Sequence, residues 1–238
     1  MSVMEREIFT REIALIGEDN YTKLKNSRIL LFGLGGVGGY VLEALVRAGV
    51  GYIDIVDNDV FSLSNMNRQI LATTNSIGKH KVDVAIERAK DINCDIIING
   101  YKMFVSDENI NSFQFNNYDY VIDAIDTISA KLKIIEQCND KHVKLISCMG
   151  TGNRLDATNF IIEDIYKTKN CKVSKIIRKK CKELNIPKLT VLYSPTIAQT
   201  TIVEEHHGRH CPASISYCPA IAGLLIAQYV IQQIIDIK

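Results

Sequence analysis

The stretch from Arg28 to Asp59 constrains the fold more than any other part of this 238-residue chain. It begins with a short apolar run, Ile29 to Phe32, of the kind that forms a strand buried on both faces. A glycine-rich turn, a helical pattern that Gly49 ends, and a second apolar run, Tyr52 to Val56, follow in that order. This succession of strand, turn, helix and strand predicts the first unit of a doubly wound α/β fold.

The turn in this unit has the spacing G-x-G-x-x-G, which is typical of nucleotide-binding folds. Its glycines allow a tight turn, a close approach of backbone to phosphate, and close packing of the next helix on the strand. Asp57 follows the last of them by nineteen residues, where a carboxylate meets ribose hydroxyls in such folds. The alternative is a glycine-rich turn without a ligand. The nucleotide site predicted here contains Asp57 and four glycines, Gly33, Gly35, Gly36 and Gly38.

Strands and helices continue to alternate as far as residue 150. Apolar runs predict further strands at 95–99, 118–122 and 143–148, with helices between them. This alternation favours an α/β fold with a doubly wound, Rossmann-like and mostly parallel sheet, in which ligands bind beyond the carboxyl ends of the strands. We therefore expect a helical arm (1–27), a nucleotide-binding domain (28–150) and a small C-terminal extension (151–238).

Composition limits where such a protein works. The seven cysteines include no C-x-x-C pair, which fits a reducing compartment better than a disulfide framework. The N-terminus is charged, and no run of eighteen apolar residues occurs. The most apolar segment, Pro219 to Ile235, contains three glutamines and predicts a buried final helix. We therefore expect a cytoplasmic protein without a membrane span.

Polar residues beyond the first unit distinguish between possible reactions. Asp59, Asn67, Arg68 and Lys81 follow the second strand, and Asp126 follows the fourth. Hydride transfer does not need such a set, whereas cleavage of a triphosphate does, because cations offset the charge on the leaving pyrophosphate and a carboxylate holds Mg²⁺. The sequence contains no G-x-x-x-x-G-K-[ST] motif, which disfavours a P-loop kinase.

Four segments together resemble the ubiquitin-activating-like adenylyltransferases, the superfamily of the molybdopterin-synthase and thiamine-thiocarboxylate activators. The segments read GLGGVGG, DNDVFSLSNMNRQ, GKHK and DAIDT, and the resemblance covers about residues 5 to 150. It implies that a carboxylate attacks the α-phosphate of ATP, so that an acyl-adenylate and pyrophosphate form. The protein then contributes mostly positioning and charge stabilisation.

The resemblance also assigns roles to individual residues. Gly36 and Asp57 would contact ATP, and Asp126 would hold Mg²⁺ as the metal ligand. Arg11 stands where the family has an arginine that reaches into the partner's site, which implies a homodimer. The phosphates would be bound by Asn67, Arg68 and Lys81.

The second half of the chain selects a branch of that superfamily. Activators of ubiquitin-like proteins usually carry a zinc site of two C-x-x-C pairs, which this sequence lacks. The segment from Met149 to Ile186 and the motif CPASIS at 211–216 resemble instead the bacterial tRNA threonylcarbamoyladenosine dehydratases. This resemblance extends over nearly the whole chain. It implies ATP-dependent cyclisation of the threonylcarbamoyl group on the adenosine next to the anticodon, at tRNA position 37.

Three functions therefore stay open on the sequence. The first is the ATP- and Mg²⁺-dependent tRNA dehydratase. The second is an adenylyltransferase that activates the C-terminal glycine of a ubiquitin-like sulfur carrier protein, and the third is a nucleotide-binding adaptor that docks RNA or protein without turnover. Candidate partners are the tRNA anticodon stem-loop, a second copy of the chain, and a sulfur-transfer protein.

A basic run in the C-terminal extension indicates contact with nucleic acid. Residues 166–182 hold eight cations and no carboxylate. A helix with Val173, Ile176 and Ile177 on its apolar side would present these cations to a phosphate backbone. A merely solvated helix is the alternative. The candidate tRNA-binding residues are Lys172, Lys175, Arg178, Lys179, Lys180 and Lys182.

Other residues keep two interpretations. Asp59 is either a ligand or a turn residue, and Arg68 and Lys81 are either phosphate ligands or surface charges. Cys211 is either a nucleophile that holds the activated acyl group or a small residue near the site. Beside Cys211 lie three histidines whose spacing fits no zinc pattern, His206, His207 and His210. We therefore interpret residues 194–216 as a polar, mobile loop.

Overall fold

The computed structural model describes residues 3–199 and 212–237, which form one mostly parallel sheet with helices on both faces. The helices are α1 (Val3–Ile16), α2 (Glu18–Asn26), α3 (Gly38–Arg47), α4 (Lys81–Ile92), α5 (Ile128–Asp140), α6 (Lys172–Glu183) and α7 (Tyr217–Ile234). The strands are β1 (Arg28–Phe32), β2 (Tyr52–Val56), β3 (Ile97–Tyr101), β4 (Tyr120–Asp123), β5 (Leu145–Cys148), β6 (Ile161–Asp164) and β7 (Thr190–Tyr193). Short 3₁₀ turns lie at Leu63–Asn65, Thr74–Ser76, Ile110–Ser112, Phe115–Asn117 and Ile165–Lys167.

The strand order, β3-β2-β1-β4-β5-β7-β6, decides where a ligand can bind. β1 pairs in parallel with β2 on one side and with β4 on the other, so the chain direction across the sheet reverses between β1 and β4. Loops that leave neighbouring strands at such a point diverge and open a crevice. The predicted doubly wound α/β fold is therefore confirmed, with β6 added antiparallel to β7 at one edge.

The central strands are apolar because both of their faces are covered. Ile29 and Leu31 pack with α3, α4 and α7 on one face, whereas Leu30 and Phe32 pack with α5 and its preceding turns on the other. All four side chains are fully buried. This burial on both faces explains the unbroken apolar run that the sequence shows.

Three strands, β3, β4 and β5, begin two residues later than the sequence predicts, and the first two of them follow local turns. Before β3, the side chain of Asn93 accepts a hydrogen bond from Asp95 N at 3.2 Å, which holds the chain in a turn. Before β4, Tyr118 N donates to Phe115 O and closes a 3₁₀ turn. In both places, hydrogen bonds within a turn hold residues that are apolar enough to belong to a strand.

The N-terminal arm packs at the amino ends of the strands, opposite to the crevice. Phe9 and Tyr21 lie with their ring centroids 5.2 Å apart. Both contact the turn at Gly49 that leads into β2. Gly49 has φ +72° and a Cβ there would lie 2.7 Å from the Tyr21 ring, so this turn needs glycine.

The final helix, α7, buries one face in the core. By length and composition it is the one helix of the described ranges that could cross a membrane, with a mean hydropathy of 1.3. It packs on α3, where a Cβ on Gly223 would lie 2.5 Å from Val37 O. Ala222, Ile226 and Val230 are buried in the same contact. The helix predicted at Pro219–Ile235 is therefore present with one face buried, whereas Leu224 is 47% exposed.

Candidate nucleotide-binding site

The glycine turn lies at the carboxyl end of β1, in the crevice. Gly33 has φ +91°, and a Cβ on it would lie 2.8 Å from Ala124 O in the loop that follows β4. A Cβ on Gly38 would lie 1.8 Å from Gly33 O, so the first turn of α3 sits directly on the glycine turn. Gly35 is open by comparison, since its nearest neighbour is Gln69 Nε2 at 3.9 Å from the added Cβ. A phosphate group can therefore approach this backbone closely.

Gln69 presents an unsatisfied acceptor beside this turn. The residue is buried, and its Oε1 has no hydrogen-bond partner within the described part of the chain. A buried acceptor without a partner costs about 1–3 kcal/mol, so the geometry fits a ligand that brings a donor. We did not predict a site role for Gln69, and the position next to Arg68 in a polar turn was the only sequence signal for it.

Asp57 and Lys81 form the charged floor of the crevice. Asp57 accepts hydrogen bonds from Leu34 N at 2.7 Å and from Asp59 N at 2.8 Å. Lys81 Nζ donates to Asp59 Oδ2 at 2.8 Å and lies 4.0 Å from Asp57 Oδ2. Burial raises the pKa of Asp57, and Lys81 and the two backbone donors oppose that rise. The carboxylate thus lies where the fold predicts a ribose contact.

Two loops meet to hold Lys81 in this place. Val60 and His80 form an antiparallel bridge, and Lys81 N donates to Asp59 O at 3.0 Å. Lys81 is only 5% exposed, which excludes an ordinary surface charge. Asp59 remains exposed and binds Lys81, so it acts here as a turn residue and as the partner of the cation.

Asn67 and Arg68 lie against the glycine turn on its outer side. Arg68 Nη1 donates to Ser64 O at 2.8 Å and to Asn67 Oδ1 at 2.9 Å. The Arg68 stem lies 3.5 Å from a Cβ built on Gly36. Asn67 Nδ2 donates to Ser214 O at 3.1 Å. This part of the predicted phosphate-binding set is therefore assembled at the turn.

Asp126 lies on the loop after β4, which is packed against the glycine turn at Ala124 and Ile125. It is exposed, and its Oδ1 accepts a long hydrogen bond of 3.4 Å from Thr127 Oγ1. An exposed carboxylate suits Mg²⁺, which protein sites usually hold through one or two carboxylates together with substrate phosphates. The described residues contain no cluster of three or more acidic, histidine or cysteine side chains that could hold a metal without such phosphates.

A buried ion pair supports the loop that carries Asp126. Asp123 is fully buried and accepts hydrogen bonds from Lys131 Nζ at 2.8 Å and from Ser147 Oγ at 2.5 Å. Its other oxygen accepts from Ile125 N at 3.2 Å, next to Asp126. Asp123 is therefore structural. The sequence signal for Lys131 was a lysine on the apolar side of a helix, which indicates a buried partner.

One predicted catalytic residue does not join this site within one chain, and another lies outside the described residues. Arg11 is exposed on α1, in the arm at the amino ends of the strands. Cys211 lies outside the described residues, as do His206, His207 and His210. The flanks of the predicted mobile loop are held in place: Gln199 N donates to Asn153 O, and Ala213 N donates to Asn153 Oδ1, both at 2.8 Å.

The basic helix forms as α6, but its faces differ from the predicted ones. Ser174, Ile177 and Cys181 are buried, whereas Ile176 is 47% exposed, so the prediction of Ile176 on the apolar side was wrong. Successive residues of a helix point about 100° apart, so Ile176 lies at the margin of the buried face that has Ile177 at its centre. The exposed cations are Lys172, Lys175, Lys179, Lys180 and Lys182.

Arg178 differs from these lysines. It is half-buried, and its Nη1 donates to Thr168 O at 2.9 Å and to Thr168 Oγ1 at 2.6 Å. Arg178 therefore ties α6 to the 3₁₀ turn that precedes it. The lysines, in contrast, face solvent on the rest of the helix.

Comparison with known proteins agrees with this geometry. The model of the ThiF family matches residues 9–238. The tRNA threonylcarbamoyladenosine dehydratase of Bacillus subtilis is 35% identical over 239 residues, which cover 95% of this chain and 94% of that protein.

Solved structures extend the likeness to the fold. The crystal structure of Escherichia coli tRNA N6-threonylcarbamoyladenosine dehydratase, TcdA, in complex with ATP superposes with a TM-score of 0.90 at 26% identity. The TcdA complex with AMP gives the same TM-score and identity, and both cover 99% of this chain and 96% of TcdA. The predicted resemblance is confirmed: the chain belongs to the ThiF family and, within it, to the tRNA threonylcarbamoyladenosine dehydratases.

Proposed function

We propose that this protein is an ATP-dependent tRNA threonylcarbamoyladenosine dehydratase. The observation that carries the proposal is the match to the B. subtilis dehydratase along nearly the full length of both proteins. The residues of the crevice support it, because their charges and hydrogen-bonding groups fit the binding of a nucleoside triphosphate and its reaction with a carboxylate. The pattern of cysteines does not favour the alternative, activation of a sulfur carrier protein.

The first step is adenylation of the threonylcarbamoyl carboxylate. A carboxylate oxygen attacks the α-phosphorus of ATP, the bond from that phosphorus to the bridging oxygen breaks, and pyrophosphate leaves. Lys81 and Arg68 stabilise the negative charge that develops on the phosphates, and Asp57 orients the ribose. Asp126 would hold Mg²⁺, which supplies further charge neutralisation when bound.

The second step is ring closure. A nucleophilic atom of the same side chain attacks the activated carbonyl and loses its proton, and AMP leaves with the former carboxylate oxygen. The substrate nucleoside thereby loses the elements of one water. In this step the protein holds the nucleophilic atom and the activated carbonyl of the threonylcarbamoyl group close together. It also excludes water from the anhydride.

The exposed lysines of α6 are the proposed contact for the tRNA backbone near the anticodon. Lys172, Lys175 and Lys182 carry no ion pair to any described residue, so their charges are available to phosphates. Such contacts are strong at low salt and independent of sequence. Selectivity for position 37 then comes from the crevice, where a splayed base can be read.

The position of Arg11 supports a homodimer. It is exposed on the arm, away from the crevice of its own chain, so the nucleotide that it would contact is that of a second copy. We also infer that the protein acts in the cytoplasm, where tRNA is modified. A sulfur-transfer protein stays a candidate partner, to be tested by a direct binding measurement.

An AMP-release assay tests the proposed function. The protein is incubated with ATP, Mg²⁺ and tRNA that carries threonylcarbamoyladenosine, with unmodified tRNA as the control. We expect one AMP for each nucleoside that loses one water, measured by chromatography and mass spectrometry. Acyl-adenylate formation on the terminal glycine of a sulfur carrier protein, or ATP binding without turnover on either substrate, would contradict the proposal.

A further inference from the structure

Asn153 joins two segments of the C-terminal extension at the edge of the crevice. Its backbone N–H donates to Ala213 O at 2.7 Å, and its Oδ1 accepts from Ala213 N at 2.8 Å. Its carbonyl oxygen accepts from Gln199 N at 2.8 Å. One residue thus holds the chain on both sides of residues 200–211.

The backbone around Asn153 is fixed in an unusual shape. Asn153 has φ +58°, a value that asparagine and glycine adopt more readily than other residues. A Cβ on the preceding Gly152 would lie 2.6 Å from the Pro212 Cβ. The two segments therefore pack backbone against backbone, and small displacements at Asn153 pass directly to residues 212–214.

Residues 213–214 connect this contact to the phosphate-binding pair. Ser214 O accepts the hydrogen bond from Asn67 Nδ2, and Asn67 Oδ1 accepts from Arg68 Nη1. A short series of bonds therefore leads from Asn153 through Ala213 and Ser214 to the Arg68 guanidinium. Each bond lies between 2.8 and 3.1 Å.

We propose that Asn153 is a positioning residue for nucleotide binding, which acts by orienting Asn67 and Arg68 toward the phosphates. The inference rests on the proposed function, because it needs ATP as the ligand. Asn153 itself does not touch the glycine turn. Its side chain accepts from Ala213 N, and the carbonyl oxygen of the next residue, Ser214, accepts from the Asn67 amide.

The test is the substitution Asn153→Gly. Glycine keeps the positive φ and both backbone hydrogen bonds, so it removes the side-chain acceptor alone. We expect the Kd for ATP, measured by titration calorimetry, to rise by about threefold to tenfold, as loss of one hydrogen bond predicts. The KM for ATP should rise in parallel, whereas kcat at saturating ATP should stay unchanged.

Asn185→Gly is the matched control. Asn185 has φ +55° at the end of α6, and no described residue hydrogen bonds to its side chain. The control should bind ATP as the unaltered protein does. If Asn153→Gly and Asn185→Gly give the same Kd, the inference is overturned, while ATP binding by both leaves the proposed function intact.

A double-mutant cycle checks the route of the effect. Because Asn153 acts through Asn67, Asn153→Gly should weaken ATP binding much less when Asn67→Ala is already present. Strictly additive effects of the two substitutions would overturn the route. Failure of the unaltered protein to bind ATP would instead remove the proposed function, and the inference with it.

Discussion

The nucleotide crevice and the basic helix use charge in opposite ways. In the crevice Lys81 is 5% exposed and bound to acidic partners, and Asp123 is fully buried with Lys131. On α6 the lysines face water, and the one arginine among them, Arg178, is bound to the protein. A fixed charge stabilises a ligand or transition state only at one geometry. Solvated charges attract a polyanion through their number, and that attraction weakens as salt is added. The two regions should therefore respond differently to substitution.

Asp126→Ala should give the largest effect. We expect turnover of the modified tRNA to fall by at least about a hundredfold, since a single preorganised charge can carry that much of the catalysis. The free energy of unfolding should change little, because Asp126 is exposed. Asp140→Ala, at the far exposed end of α5, is the control and should leave turnover unchanged. Normal turnover in Asp126→Ala would remove the metal assignment.

Replacement of three α6 lysines should give a smaller, salt-dependent effect. With Lys172, Lys175 and Lys182 changed to glutamine, the slope of log K for tRNA against log salt should become shallower by about two to three. The Kd for ATP should not change. Three exposed lysines elsewhere serve as the control, Lys90, Lys141 and Lys144. Equal slopes for the two triple variants would exclude α6 as the tRNA contact.

The pH dependence of adenosine binding should identify Asp57. Only the carboxylate accepts hydrogen bonds from both ribose hydroxyls, so affinity should fall by about threefold to tenfold as Asp57 becomes protonated. Burial raises its pKa above the usual 3.8, and the loss should therefore begin at a higher pH than for an exposed aspartate. Adenosine has no phosphates that would titrate in this range. A binding curve for Asp57→Asn with the same pH dependence would argue against this contact.

Arg178→Ala should lower the stability of the protein without weakening tRNA binding, which distinguishes Arg178 from the lysines of the same helix. Loss of the bonds to Thr168 should lower the free energy of unfolding by about 1–2 kcal/mol, measured by urea denaturation. Lys182→Ala, which removes an exposed lysine, should leave stability within about 0.5 kcal/mol. A tRNA affinity that falls more in Arg178→Ala than in Lys182→Ala would mean that the arginine also contacts RNA.

The sequence predicted the features that depend on local pattern. The apolar runs, the glycine spacing and the acid after β2 each follow from one short stretch, and the structure places Asp57, Arg68 and Lys81 around one crevice. Long-range contacts were not predictable in this way. Asn153 shows only a turn signal after Gly152, because its partner Ala213 lies 60 residues later in the chain. Ile176 is apolar, but it points about 100° away from Ile177 on the helix. Only Ile177 therefore lies on the buried face.

The reversal of strand order also has a consequence for how this protein can vary. The glycine turn and the Asp126 loop leave adjacent strands, although almost ninety residues separate them in the chain. The intervening chain leaves the sheet and returns to it, and its exposed turn at Asp107 and Glu108 points into solvent. Extra residues could accumulate at that turn over evolution, and the spacing of the two loops across the crevice would be preserved.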